Sequence, residues 1–224
     1  MKVVPTALAP ASLPENVPRC FRRATAFATA ILTLLAPPAF ANNLPAPGKT
    51  PGIPAPVQHA VSDVSEWQVG EFKVIALAAY DVTARILAAK AYQDGRQGEL
   101  SPVDLALGWG PMADDAVLGA LNISQRDRWY FVSWRDAPIT KAQVIENSAN
   151  THIMAATPAV SEMLMVLEPD QTVRLRGYLV EARAADGWSW KSSTSRSDTG
   201  DGSCELFWVE EVERVPAPQL AENN

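Results

Sequence analysis

Two side chains of this sequence, His152 and Cys204, belong to the types that perform nucleophilic or acid–base chemistry. His152 lies in the segment Ser148-x-Asn150-x-His152, and alternate side chains of an extended chain project to one face. An imidazole with polar neighbours on that face can act as a general base near neutral pH. The alternative is a structural histidine, hydrogen-bonded in a loop between two helices.

Cys204 follows a polar loop over residues 193–202 and begins a predicted strand. Its thiol would be a nucleophile if a neighbour such as His152 favoured the thiolate. The alternative is a small buried apolar side chain, which is the usual role of a free cysteine. Asp198 is a second candidate partner, so an enzyme of this sequence would use His152 with Cys204 or Asp198.

Four carboxylates, Asp104, Asp198, Asp201 and Glu205, lie near predicted loops. Asp198-Thr-Gly200 matches the tripeptide around an aspartic-protease carboxylate, but the sequence has no second copy and that dyad needs two. Asp198 and Asp201 lack the alternating ligands of an EF-hand, and a tight polar turn is the alternative. Zinc clusters, phosphate loops and dinucleotide fingerprints are also absent from the sequence. We therefore predict no metal and no cofactor.

The sequence contains seven tryptophans, and an exposed indole beside a groove can stack on a sugar ring or a peptide. The alternative for most of them is core packing. We predict a polar binding surface for a peptide, a glycan or an envelope protein, near the loop over 193–202, formed by Trp109, Ser148, Asn150, His152 and Arg196.

Residues 1–41 have the pattern of a signal peptide: three arginines between positions 19 and 23, an apolar run, and Ala39-Phe40-Ala41. The apolar run over 24–35 is shorter than the ~20 residues that span a bilayer. We expect cleavage after Ala41, a periplasmic or secreted location, and no membrane span after cleavage.

Cleavage would remove four of the 19 basic residues and one of the 25 acidic residues, which changes the net charge from −6 to −9. An acidic chain is repelled by phosphate backbones, so we predict no nucleic-acid partner. Cys20 would leave with the signal peptide, so Cys204 would have no intramolecular disulfide partner.

The mature chain divides into three parts by composition. Residues 42–61 are rich in proline and are typical of a tether, and 216–224 form a tail. Residues 62–215 are long enough for a single globular domain with its own core.

Within this domain the pattern predicts three C-terminal strands, over 173–181, 188–192 and 204–212, with a turn at Asp186-Gly187. Further upstream we predict a polar loop over 92–99. Residues 71–90 fit a strand pair or a helix, because their alanines favour helix, but alternation over 80–86 favours one long bent strand. A further strand is predicted over 128–134, and an extended piece over 150–154. Four helices are predicted to begin near Ser101, Asp114, Thr140 and Thr157. Strands and helices do not alternate as βαβ units. The predicted fold is therefore α+β, with a mainly antiparallel, curled or barrel-like sheet and short inserted helices.

Three passages of the sequence resemble a family of exported bacterial proteins to which no activity is assigned. They are LSPVDLALGWG over 100–110, NSANTH over 147–152, and SRSDTG over 195–200 followed by SCE over 203–205. The resemblance spans most of residues 65–213 and implies a discrete exported domain. It supplies no catalytic residues.

From the sequence we favour a secreted or periplasmic binding or interaction module. The alternative is a hydrolase or transferase that uses His152 with Cys204 or Asp198.

Overall fold

The structure, a computed structural model, describes residues 2–3, 52–62 and 65–216. The predicted signal peptide beyond Val3, the first part of the proline-rich segment and the tail after 216 lie outside the described residues. The strands are β1 Lys2–Val3, β2 Val57–Ala60, β3 Glu66–Val69, β4 Phe72–Ala91, β5 Val103–Gly108, β6 Asn122–Arg126, β7 Trp129–Ser133, β8 Ser148–Ala155, β9 Thr172–Arg183, β10 Ser189–Lys191 and β11 Glu205–Val215.

The helices of the described part are short. They are α1 Gly95–Leu100, a 3-10 turn over Gly110–Ala113, α2 Asp115–Leu118, α3 Lys141–Glu146 and α4 Pro158–Met165. None of the helices within the described ranges combines the length and the apolar character needed to cross a membrane.

The main sheet is organised around β4, a strand of 20 residues. It pairs antiparallel with β9 over most of its length and with β5 near its C-terminal end. β5 pairs antiparallel with β8, β8 pairs parallel with β11, and β11 pairs antiparallel with β9. The pairings therefore form a circuit, β4–β5–β8–β11–β9–β4.

The remaining strands attach to this circuit or form a second, smaller sheet. β2 and β3 pair with β4, and β10 pairs with β9. β1, β7 and β6 form the three-stranded second sheet. The fold is α+β, with a mixed sheet in which antiparallel pairs dominate.

Most predicted elements are present. Strands were predicted where β4, β7, β8, β9, β10 and β11 lie, and helices where α2, α3 and α4 lie. These three helices begin where predicted, and Asp114, Thr140 and Thr157 each accept hydrogen bonds from backbone N–H groups of the first turn.

Two predicted elements are wrong. The helix expected from Ser101 is strand β5, and the Ser101 hydroxyl donates to the carbonyl of Val103 instead of capping a helix. Every residue of β5 is buried, so the strand lacks the alternation that marks a half-buried strand. The loop expected over 92–99 contains helix α1.

Residues 57–60, within the segment interpreted as a tether, form β2 on the edge of β4. The carbonyl of Ile53 accepts a hydrogen bond from the backbone N–H of Gly110, and the Ile53 side chain packs against the core. The described part of the proline-rich segment is therefore attached to the domain.

The two faces of β5, β8 and β11 have different surroundings. Leu105, Ile153 and Phe207 project into the main apolar cluster inside the circuit. Because side chains alternate along a strand, Asp104 and His152 project to the opposite face. The candidate site lies on that outer face.

Gly177 of β9 lies where backbone approaches backbone. A Cβ added at this position would lie 2.0 Å from the carbonyl oxygen of Trp208, next to the irregular pairing of β11 between Val209 and Glu211. The close approach of backbone atoms from β11 explains why position 177 is a glycine.

We predict that Gly177→Ala lowers the free energy of unfolding by about 1–3 kcal/mol, because β9 and β11 must separate to admit the methyl group. Urea denaturation of the two proteins measures the difference. Thr172→Ser, on the same strand, is the control and is expected to change stability by less than about 0.5 kcal/mol. Equal midpoints for Gly177→Ala and the parent chain would contradict this packing.

Candidate functional site

The register of the sheet brings three distant parts of the sequence together. Asp104 of β5 lies opposite His152 of β8, and His152 lies opposite Leu206 of β11. Cys204 is two residues before Leu206, so its side chain lies on the same face. Asp104, His152 and Cys204 are therefore neighbours, although 100 positions separate the first from the last.

The carboxylate of Asp104 is the centre of this group. Its Oδ1 lies 2.9 Å from Nδ1 of His152 and 2.6 Å from Nη1 of Arg128. Asp104 is fully buried and His152 is 4% exposed. The two side chains form an ion pair when the imidazole is protonated.

The surroundings of His152 favour its charged form. Burial on its own would lower the pKa of the imidazole, but Asp104 and the thiol of Cys204 both interact with the ring and outweigh burial. The pKa of His152 is raised from 6.5 to about 9. At neutral pH the ring is therefore an imidazolium between a carboxylate and a thiol.

Cys204 is a free cysteine of intermediate exposure. The side-chain amide nitrogen of Asn150 lies 3.8 Å from its Sγ. That amide is held in place, because its nitrogen also donates to the carbonyl of Arg128 and its oxygen accepts from Gln125 at 2.7 Å. Asn150 therefore presents one N–H beside the sulfur from a fixed position.

Arg128 is positioned by its own backbone. Asp127 and Arg128 form the turn between β6 and β7, and both have positive φ, 51° and 64°. The amide N–H of Arg128 donates to the hydroxyl of Tyr92, and its guanidinium lies over the Tyr92 ring at 4.0 Å. Nη1 also donates to the carbonyl of Ser101. These contacts aim Arg128 at Asp104.

Aromatic side chains cover part of the group. The ring of Trp190 lies 4.7 Å from the ring of His152, centroid to centroid, and limits access of water to it. Trp109 does not take part, because it is 1% exposed and packs in the main core cluster. The indole predicted for the binding surface is therefore in the interior, and Trp190 lies at the site.

A second polar cluster adjoins the first. Nη1 of Arg196 donates to the hydroxyl of Tyr80 at 2.9 Å and lies 3.0 Å from Oε1 of Glu205. Burial raises the pKa of Glu205 to about 7, although Arg196 acts in the opposite direction. Burial also raises the pKa of Tyr80 well above its ordinary value. The cluster therefore holds a carboxyl group that titrates near neutrality.

A small pocket opens beside this second cluster. The residues that line it are Ile145, Ser148, Ala149, Asn150, Ser195, Arg196, Asp198, Ser203 and Glu205. Oδ2 of Asp198 accepts a hydrogen bond from Ser193 at 2.7 Å within the loop over 193–202. Ser148 donates to the carbonyl of Val144 at 2.6 Å. The carboxylate against the imidazole is thus Asp104, while Asp198 lies at the pocket.

Of the residues predicted from sequence, His152, Cys204 and Asn150 meet in the first cluster, and Ser148, Asn150, Arg196 and Asp198 line the pocket. Sequence reasoning noted Asp104 and Glu205 only as loop carboxylates, and it missed Arg128. A hairpin turn at Asp127-Arg128 was the available signal, but its tertiary contact with Asp104 left no mark in the sequence.

Within residues 52–62 and 65–216, no group of three or more His, Cys, Asp or Glu side chains is arranged to hold a metal ion. Comparison with known proteins finds no matching family model, no matching curated protein and no matching solved structure. The function must therefore be argued from the site itself.

We predict that stability falls with rising pH in two windows. The folded pKa values of Glu205 and His152 both exceed their ordinary values, 4.5 and 6.5, so the folded state binds more protons than the unfolded state. Stability is then lost from about pH 4.5 to 7 through Glu205, and from about 6.5 to 9 through His152. Urea denaturation at a series of pH values measures the effect.

Two variants assign the windows. Glu205→Gln should remove the decrease at lower pH, and His152→Asn should remove the decrease at higher pH. A wild-type stability that rises with pH across both windows would contradict the charge states described above.

Proposed function

We propose that the protein is a hydrolase or transferase in which Cys204 is the nucleophile and His152 is the general acid and base. The observation that supports this most is the convergence of an imidazole and a carboxylate from two strands with a thiol that directly precedes a third. A cysteine beside a charged histidine that is oriented by a third group is the arrangement of an activated thiol nucleophile. Asp104 supplies the third group.

The reaction would be acyl transfer. In this proposal the sulfur reacts as the thiolate beside the imidazolium and attacks a carbonyl carbon of the substrate. His152 then gives its proton to the departing amine or alcohol, and a thioester to Cys204 remains. Water or a second nucleophile gives up a proton to His152 and takes the acyl group, and the sulfur leaves as the thiolate, which restores the thiolate and imidazolium pair. Asn150, with its one remaining N–H near Sγ, would donate to the oxyanion of each tetrahedral intermediate.

Each neighbour has a distinct role in this proposal. Asp104 would hold the imidazolium charge, and Arg128 would act as a positioning residue through Asp104. Trp190 would shield the imidazole from water, which strengthens electrostatic interactions at the site. The intermediate exposure of Cys204 supports access of a substrate to the sulfur.

The circuit of strand pairings supports the prediction of a curled or barrel-like sheet. Five-stranded barrels of this kind include the OB-fold, whose strands and loops bind extended ligands. That architecture serves unrelated functions and does not choose between catalysis and binding. A location in the periplasm or outside the cell remains part of the proposal, and its basis is the sequence of residues 1–41.

A binding module without chemistry is the second candidate. The charged residues Arg196, Asp198 and Glu205 beside the small pocket favour it, because their polar atoms can bond to a peptide, a glycan or an envelope protein at the surface without any reaction. In that case Cys204 and His152 would be structural.

Thiol reactivity separates the two. We predict that methyl methanethiosulfonate modifies Cys204 of the native chain at pH 7 faster than it modifies the same cysteine in urea, because the imidazolium favours the thiolate. Mass spectrometry of the peptide with Cys204 measures the rate. Asp104→Asn should slow the native reaction several-fold, since it removes the charge that stabilises the imidazolium.

Asp201→Asn is the matched control, because Asp201 is an exposed loop carboxylate. It should react as the parent chain does. Native labelling no faster than labelling in urea would reject the cysteine nucleophile. A slower labelling of Cys204 in Asp198→Asn, with an unchanged rate in Asp104→Asn, would reject Asp104 as the carboxylate that stabilises the imidazolium.

A further inference from the structure

The loop over 193–202 covers a buried carboxyl group at one end of the main apolar cluster. Glu205 is 2% exposed, and Tyr80, which belongs to that cluster, is 3% exposed. Arg196, from the middle of the loop, donates through Nη1 to the Tyr80 hydroxyl at 2.9 Å and lies 3.0 Å from Oε1 of Glu205. The side chain of Arg196 is itself 29% exposed, so it lies between the carboxyl group and solvent.

Little apolar surface holds this loop in place. Residues 194–202 consist of Thr, Ser, Arg, Asp and Gly alone, and most of them are exposed. The N–H of Ser193 bonds to the carbonyl of Cys204, and the Gln58 side chain donates to a carbonyl of the loop. A segment with few buried apolar contacts opens at a lower free energy than the whole domain unfolds. The contacts of Arg196 therefore contribute much of what keeps the loop closed.

Charges from three elements act on Glu205. Burial favours the neutral carboxyl group, and Asp198 of the loop acts in the same direction, whereas Arg196 of the loop and His152 of β8 favour the carboxylate. Tyr80 of β4 stays neutral, because burial raises its pKa. Burial prevails, and the pKa of Glu205 is raised to about 7 under the closed loop. Opening would admit water to the carboxyl group and return its pKa toward the ordinary 4.5.

The direction of the pH effect follows from the protons bound in each arrangement. Between about pH 4.5 and 7, Glu205 keeps a proton under the closed loop and loses it when the loop is open. Acid therefore favours the closed loop, and a rise in pH toward 7 favours opening. Had attraction to Arg196 exceeded the effect of burial, the pKa would be lowered and the direction would be opposite.

We propose that the loop over 193–202 is a pH-dependent cover, closed in acid and opening as the pH rises through neutrality, with Glu205 as the group that responds. The inference goes beyond the proposed function, because opening of the loop does not need the thiol. The loop leads directly into Cys204, so its opening would also change the access of other molecules to that residue.

Trypsin measures the opening directly, because it must take the Arg196 side chain into its own specificity pocket. In the closed loop that side chain is held by Tyr80 and Glu205. The native full chain is digested at pH 5.5, 7 and 8. The rate of cleavage after Arg196 is divided by the rate for a synthetic peptide of residues 192–202 at the same pH. We expect this ratio to rise about tenfold from pH 5.5 to 7, and by less than about threefold from pH 7 to 8.

Three controls accompany this measurement. Glu205→Gln should make the ratio independent of pH, because the amide does not ionise. Glu210→Gln, at an exposed position of the same strand, should leave the pH dependence intact. Cleavage after Arg174 of β9 requires unfolding of the domain and should be at least about ten times slower than cleavage after Arg196.

A ratio that falls or stays constant as the pH rises overturns the proposal. Equal rates after Arg196 and Arg174 also overturn it, since both cleavages would then report unfolding of the whole domain. An unchanged pH dependence in Glu205→Gln rejects Glu205 as the responding group. If that variant does not fold, the pH profile of the parent chain decides alone.

Discussion

The candidate site depends on the buried carboxylate of Asp104. A buried charge destabilises the folded state unless an opposite charge pairs with it. Removal of one partner of a buried pair lowers the free energy of unfolding by about 3–5 kcal/mol. Asp104 has two partners, Arg128 and His152, and both approach the same oxygen. The imidazolium therefore has a fixed neighbour on one side, which leaves the other side of the ring for interaction with Cys204.

This carboxylate also connects the two sheets of the molecule. Arg128 belongs to the hairpin of β6 and β7, while Asp104 belongs to β5 in the main sheet. Asn150 of β8 strengthens the same connection, because it bonds to Gln125 and to the carbonyl of Arg128. The second sheet thus covers the outer face of β5 and β8, where the polar residues lie. Arg128 of the hairpin supplies the charge that pairs with Asp104 on that face.

Local patterns in the sequence predicted most elements, and the reasons for the failures are physical. Apolar and polar residues alternate along β9 and along much of β4, and this alternation favoured strands at both places. Thr140 and Thr157 indicated where two helices begin. β5 was missed because both of its faces are covered, one by the main core and one by the second sheet. Its polar residue, Asp104, was consequently assigned to a loop region.

The candidate site could be predicted only in part. His152, Cys204, Asn150 and Arg196 were selected by residue type, since few side chains can perform such chemistry. Their proximity in space could not be predicted from the sequence, because it depends on the parallel pairing of β8 with β11 and the antiparallel pairing of β5 with β8. Trp109 was selected by the same reasoning and lies in the core, because an indole fits a core as well as a surface.

The central claim is that Cys204 takes an acyl group with the help of His152. The most direct measurement mixes the chain with p-nitrophenyl acetate, stops the reaction in acid and locates the acetyl group by mass spectrometry of peptides. An activated ester needs no contact with the pocket, so the measurement concerns the thiol and the imidazole alone. The account predicts an acetyl group on Cys204 in the parent chain, and much less of it in His152→Asn. Absence of acetyl on Cys204, or equal acetylation in the two proteins, would contradict it.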